Sequence, residues 1–309
     1  MATADGRGYV AGKYGVELDG IMAGWIWSVE GGHATSDVVV EKLGADHIQK
    51  KHIGNVKYED ISITCGTGMT KGFYQWIKDT LDLKYSRKNG AIIAADYNHK
   101  EHSRVTFYNA LLTEFGMPAL DAASKDAAKM TIKWAPEYTR TVNQPAATIA
   151  GKFAINAPVQ KKWLPANYRL KIDGLDKACA RVNKIEALVV KQKVTEHAVG
   201  ELRDYEKEAA HVEIPNLVIT FPESHADEFY KWHEDFVIKG NNGQDAEKGA
   251  TLEYLTPNLK ETLFTLTFGN LGIFKLTPEK VEAGNEQIRR LKAEMYCETI
   301  KFDYKATWA

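Results

Sequence analysis

A chain of 309 residues is long enough for about two domains of ordinary size. Its 44% hydrophobic and 26% charged residues are those of a water-soluble globular protein, and a formal net charge of -1 argues against a dedicated nucleic-acid binder, though it leaves room for local basic patches. Cys65, Cys179 and Cys297 are too far apart for a zinc motif or a disulfide framework, which points to synthesis in a reducing compartment. Residues 1–8 have no apolar core, so no signal peptide is expected. No apolar run approaches the ~20 residues that span a bilayer.

Residues 1–13 are small and polar and read as an arm. Tyr14, Val16 and Leu18 alternate with polar or small residues, the period of a half-buried strand. Asp19-Gly20 is a turn pair that leads into a return strand over 23–29, broken by Glu30-Gly31-Gly32. A strand over 35–43 carries Val38, Val39 and Val40 in succession. The polar stretch 44–55, with Asp46, His47, Lys50, Lys51 and His52, reads as an exposed loop or hairpin tip. A strand over 56–65 ends at Gly66-Thr67-Gly68. It feeds a helix over 70–83 whose Phe73, Trp76, Ile77 and Leu81 share one face.

Strands are predicted at 91–97 and 104–115, followed by an irregular or briefly helical excursion over 117–129 and a closing strand over 130–138. The stretch 136–165 holds four of the nine prolines and reads as a linker.

The second half repeats the first. Ile61-Ser62-Ile63-Thr64 and Phe73-Tyr74-Gln75-Trp76 recur as Leu217-Val218-Ile219-Thr220 and Phe229-Tyr230-Lys231-Trp232, both at an offset of 156. The Tyr14 to Gly20 stretch recurs as Tyr168 to Gly174. Gly90-Ala91 recurs as Gly249-Ala250, and Thr131 to Trp134 as Thr299 to Phe302. A tandem duplication follows, with domains over 1–138 and 167–309 joined by 139–166. Ser224 is placed as the N-cap of the second aromatic helix, with Asp227 three residues on. The offset grows from 161 at Asn109/Asn270 to 168 at the final strand. Thr277-Pro278 followed by Val281, Ile288, Leu291 and Met295 at helical spacing predicts an inserted helix there.

Chemical motifs do not assemble. Gly66-Thr67-Gly68-Met69-Thr70-Lys71-Gly72 lacks the spacing and the Ser or Thr of a phosphate loop. His99 and His102, near Asp96 and Glu101, fall in a hairpin turn with nothing to orient a metal. No Gly-x-Ser-x-Gly elbow occurs, and what the duplication kept is architecture. No catalytic, cofactor or metal role is therefore assigned. The exposed edges of so small a β-domain need cover, and the runs Val38 to Val40 and Leu188 to Val190 are apolar on both parities. Val38, Val39, Val40, His47, Ile48, Lys51, His52, Leu188 and Val190 are the candidates for contact between subunits.

The order of these landmarks resembles the tail tube proteins of contractile phages and contractile injection systems. The resemblance is carried by Leu18-Asp19-Gly20, Glu30-Gly31-Gly32, Tyr58 to Gly66, Phe73-Tyr74-Gln75-Trp76-Ile77 and Gly90-Ala91-Ile92-Ile93. It covers the first half nearly end to end and the second more weakly. It implies an α+β, mainly β fold: two tandem domains, each of two packed antiparallel sheets or a small β-barrel with one principal helix. The implied role is a structural component of a virion or injection particle, made in the host bacterial cytoplasm. Rings of six domains, here three tandem chains, would stack into a conduit for DNA or an effector. The implied partners are a sheath outside and baseplate and terminator proteins at the ends. The alternative is a baseplate hub or tube-initiating adaptor with two tube-like domains.

Overall fold

The computed structural model describes residues 12–42, 44, 48–96, 99–142, 163–198, 200, 204–280 and 288–305. It is mainly β. In the first copy, β1 (Lys13–Leu18), β2 (Ile21–Glu30), β5 (Ile61–Cys65), β6 (Lys88–Ala95), β7 (Glu101–Met117) and β9 (Met130–Ala135) pair in the order β7-β6-β1-β2-β5-β9. A further β7–β9 pairing closes the ring. The result is a six-stranded antiparallel barrel. β3 (Ala34–Glu41) and β4 (Lys50–Tyr58) form a separate hairpin that leaves the barrel between β2 and β5.

Local chemistry explains the turns. Asp19 and Gly20 both take positive φ, and Asp19 Oδ1 accepts the Asn89 backbone N–H at 3.2 Å. The break after β2 requires glycine, because Gly31 has φ +81° and a Cβ there would lie 1.9 Å from the Asp60 carbonyl oxygen. Helix α1 (Lys71–Leu81) buries Phe73, Trp76 and Ile77, as the spacing predicts. The Trp76 ring lies 5.8 Å from Trp134 of β9, which lies 5.3 Å from Phe107 of β7. Trp76 Nε1 donates to the Ser86 carbonyl at 2.8 Å, so its one polar group is satisfied. The helix is thereby tied to two strands on opposite sides of one barrel seam.

The second copy follows the same plan without closing. Its strands are β11 (Tyr168–Ile172), β12 (Lys184–Ile185), β15 (Leu217–Pro222), β16 (Lys248–Leu255), β17 (Thr262–Pro278) and β18 (Arg290–Tyr304), paired as β11-β16-β17-β18-β15-β12. Where the first copy has the ten-residue β2, the second has a short helix, α2 (Asp176–Cys179), and the two-residue β12. No β11–β12 pairing forms among the described residues, and the outer edge of β12 is taken by β8 (Leu120–Asp121) of the first copy. The second aromatic helix, α3 (Asp227–His233), runs on into a π-turn over Glu234–Ile238, and Phe229 stacks on Phe221 of β15 at 4.5 Å.

Several sequence expectations are corrected. The closing strand over 130–138 is two strands, β9 and β10 (Tyr138–Val142), separated at Pro136-Glu137 but pairing along the same edge of β7. Ser224 is not the cap of α3: it lies in a 3-10 turn, bonds His225, and leaves Ala226 at the N-cap position without a side-chain cap. No helix holds Leu291 and Met295. Both lie in β18, where Leu291, Ala293 and Met295 are buried with the period of two. Val281 lies outside the described residues.

The match of Thr131–Trp134 to Thr299–Phe302 is also misplaced. Gly116 pairs with Thr131, and its counterpart Thr277 pairs with Lys292, so the 161-residue offset of Asn109/Asn270 continues through the last strand without an insertion. The linker prediction holds packed residues at both ends: β10 reaches Val142, and Trp163 is buried with its ring 5.6 Å from Tyr254. Residues 143–162 lie outside the described set.

Replacing Trp76 by Ala removes a fully buried aromatic that links helix and barrel, and should lower stability by about 3–5 kcal/mol. Denaturant unfolding of Trp76→Ala against wild type measures this, and an unchanged midpoint would remove α1 from the core.

Candidate assembly surface

The functional geometry is in the two hairpins and the edges they meet. The β3–β4 hairpin stands out from the first barrel, and nothing else in the sheet network pairs with it among the described residues. Every β3 side chain is exposed, with Val38 at 60%, and Ile48 and Ile53 are more exposed still. Lys51 and His52 lie on β4, and His52 Nε2 is 3.7 Å from Glu41 Oε2. His47 lies outside the described residues. An exposed row of valines on a twisted two-stranded ribbon is the kind of apolar surface that marks an interaction site.

The second hairpin, β13 (Leu188–His197) with β14 (Glu206–Glu213), is built the same way. Its register shift between Gln192 and Val194 corresponds to the shift between Ser36 and Val38 in the first. It is docked, however. Leu188, Val189, Val190 and Lys191 pair antiparallel with Met117, Gly116, Phe115 and Glu114 of β7, extending the sheet of the first barrel. Leu188 and Val190 are therefore buried inside the chain, and their side chains do not offer the contact between subunits expected of them.

Polar groups fix this docking. Glu137, just before β10, is 7% exposed. Its Oε2 accepts from Asn109 Nδ2 at 2.7 Å, and its Oε1 accepts from the Lys207 backbone N–H at 3.3 Å and lies 3.1 Å from Arg87 Nη1. Arg87 Nη2 in turn donates to the Lys207 carbonyl at 2.6 Å. One buried carboxylate thus holds the backbone of β14 against the first barrel, with an arginine balancing its charge. At the hairpin's far end, Tyr58 Oη donates to Asp204 Oδ1 at 3.1 Å and Asn55 Nδ2 donates to Tyr205 Oη at 3.0 Å.

Helix α1 lies between the two copies. Its Tyr74 is fully buried, with ring centroids 5.3 Å from both Phe264 and Tyr304 of the second sheet. Lys78 pairs with Asp303, and Tyr304 Oη donates to Gln75 Oε1 at 3.1 Å. Sequence reasoning missed all of these contacts. The recurrence of Asn109/Glu137 as Asn270/Glu298, both pairs bonded side chain to side chain, was the available signal.

Other candidate chemistry stays dispersed. His102 Nε2 lies 3.4 Å from Asp96 Oδ2, His99 faces Lys13 Nζ at 2.7 Å and Trp25, and no three His, Cys, Asp or Glu residues form a metal group among the described residues. Burial pushes the Cys65 and Cys179 thiols up to about 12, which leaves them protonated and unreactive near neutral pH. No helix among the described residues is long and apolar enough to cross a membrane.

The first copy is thus a closed β-barrel packed by an aromatic helix, and the hairpin of the second copy extends its sheet. Residues 10–140 match the family described as T4-like virus tail tube protein gp19. The resemblance drawn from the sequence is thereby shown for the first copy, and the match does not extend to the second. Among solved structures, the chain is similar to a component of the sheath-tube complex of the extracellular contractile injection system PVC (20% identity, 45% of this chain and 95% of that one, TM-score 0.40). It is also similar to a component of the tube-terminating cap of the anti-feeding prophage (18%, 46% and 99%, 0.39) and to Hcp1 from Flavobacterium johnsoniae (13%, 45% and 95%, 0.27). No curated protein sequence matches the chain.

The raised thiols make a pH prediction. A thiol whose folded pKa lies above its ordinary 9.0 favours folding fully below that value, and the contribution is lost as pH rises from about 9 towards about 12. Unfolding free energy should therefore fall between pH 9 and 10 by at most about 1.4 kcal/mol per pH unit for each thiol. The fall should be shallower in Cys65→Ala, and equal slopes in the two proteins would contradict it.

Proposed function

We propose that the chain is a tail tube protein in tandem form, each copy of the repeat filling one position of a ring. The observation that carries this reading is the match of residues 10–140 to a tail tube family, in a chain whose second copy repeats that plan and docks on the first by strand addition. The two ring units are residues 1–138 and 167–309. Contact between the copies is heterologous, because one copy offers a hairpin and the other a strand edge, and heterologous contacts close into rings or continue as helices.

With six positions to a ring, three chains alternate first and second copies around the circle. Such rings, with true three-fold and approximate six-fold order, stack into a conduit for DNA or an effector. A sheath covers this tube, and baseplate and terminator proteins cap its ends. The exposed residues Val38, Val39, Val40, Ile48, Lys51 and His52 are the subunit contacts still available on the chain. The protein acts by assembly and not by turnover.

Native mass spectrometry of the purified protein and averaged micrographs test this. The expected result is a ring of three chains and, on stacking, tubes of many rings. A ring of six chains with twelve copies in one layer would contradict it. Only three chains in each intact particle would identify a hub instead.

A further inference from the structure

The two copies carry the same docking parts, but only one set is used within the chain. The hairpin of the second copy occupies the far edge of β7, whereas the hairpin of the first copy, with the same bulge, pairs with no other strand among the described residues. The matching edge of β17 is also open. β16 covers that edge only as far as Leu271, β18 covers the opposite edge to Pro278, and no other strand pairs with 272–278 among the described residues. A hairpin without an acceptor and an acceptor without a hairpin therefore stand at the two ends of one repeated relation.

Equivalent residues around the two acceptors show the same asymmetry. Tyr74 on α1 is 1% exposed under the rings of the second copy, while its counterpart Tyr230 on α3 is 45% exposed. Glu137 is buried, binding Asn109 and the backbone N–H of Lys207. Its counterpart Glu298 binds Asn270 through Oε2 at 2.8 Å and is exposed. The residue of the first hairpin equivalent to Lys207 is Lys51, because Glu196 pairs with Lys207 as Val40 pairs with Lys51.

From these paired differences we infer that the β3–β4 hairpin of one chain adds to the open edge of β17 in a second copy of this chain, in the register that β13 shows on β7. That register sets Gly32, His33, Ala34 and Thr35 against Pro278, Thr277, Leu276 and Lys275 of the other chain. It brings the Lys51 backbone N–H to Glu298 and covers Tyr230. Strand addition satisfies the open backbone groups, and the bulge fixes which residues meet. The inference rests on the tube reading for the existence of an assembly, but it specifies a contact which that reading does not.

Disulfide trapping tests the register. In a Cys297→Ser background, Ala34→Cys and Leu276→Cys stand where Val190 and Phe115 face each other within the chain. Oxidation of the assembled double variant should link chains into a covalent ladder on a non-reducing gel, with neither single variant giving multimers. Val40→Cys with Leu276→Cys lies six residues out of register, about 20 Å along the strand, and should give at least tenfold less. Assemblies of wild-type size that show no 34–276 link, or equal linking at 40–276, would overturn the contact and leave the ring intact. A wild-type chain that remains monomeric under all assembly conditions would overturn both.

Discussion

The structure depends on the need to cover both edges of one long strand. β7 has 17 residues. Along one edge, β9 and β10 pair with it in a nearly continuous ladder; along the other, β6 covers only its first part, Glu101 to Ala110. Beyond Ala110 the strand keeps β9 on one side, but its β6-side edge is left with a row of backbone donors and acceptors, which are costly to bury unpaired and prone to unplanned pairing when exposed. The second copy's hairpin covers that row. Its arrival buries Phe115, Met117, Leu188 and Val190 together and shuts Glu137 away from water against the β14 backbone. A surplus of strand on one copy thus becomes the joint to the next.

Duplication within one chain leaves each copy a different task. The first copy closes its barrel with β2 and receives a hairpin; the second has lost most of β2, remains an open sheet, and lends its β12 edge to β8 of the first. The copies therefore share backbone pairing at two places, β7–β13 and β8–β12, with α1 packed between them. Such sharing is stiffer than contact through side chains alone, because register and orientation are set by the ladder. The parts left over, one hairpin and one strand edge, are complementary in kind and lie on different copies, as a head-to-tail polymer requires.

The mainly β class, the aromatic helix and the Asp-Gly turn are legible in the sequence because each rests on local pattern: period two, period 3.6, or a residue suited to positive φ. The β3–β4 hairpin is legible only in part: residues 50–55, which read as a loop or hairpin tip, lie in β4, and the valines, apolar on both parities, are exposed. Leu291 and Met295 misled because residues four apart satisfy both a helical face and every second position of a strand. The strand prevails here through pairing with β15 and β17, which is not local. The apolar run Leu188 to Val190 reads as needing cover from another domain or chain, and the sequence does not decide that the first copy of the same chain supplies it. Glu137 looked like any surface carboxylate, since its burial is created by a hairpin seventy residues further on.

Amide hydrogen exchange on the two equivalent edges tests the central claim most directly. In the isolated chain, the edge-facing amides of β7 residues 114–117 should be protected like the barrel core, while those of β17 residues 275–277 facing away from β18 exchange fast. On assembly the β17 amides should slow by orders of magnitude and the β7 amides stay as they were. Equal protection of both edges in the isolated chain, or β17 amides that remain fast in the assembled tube, would contradict the account.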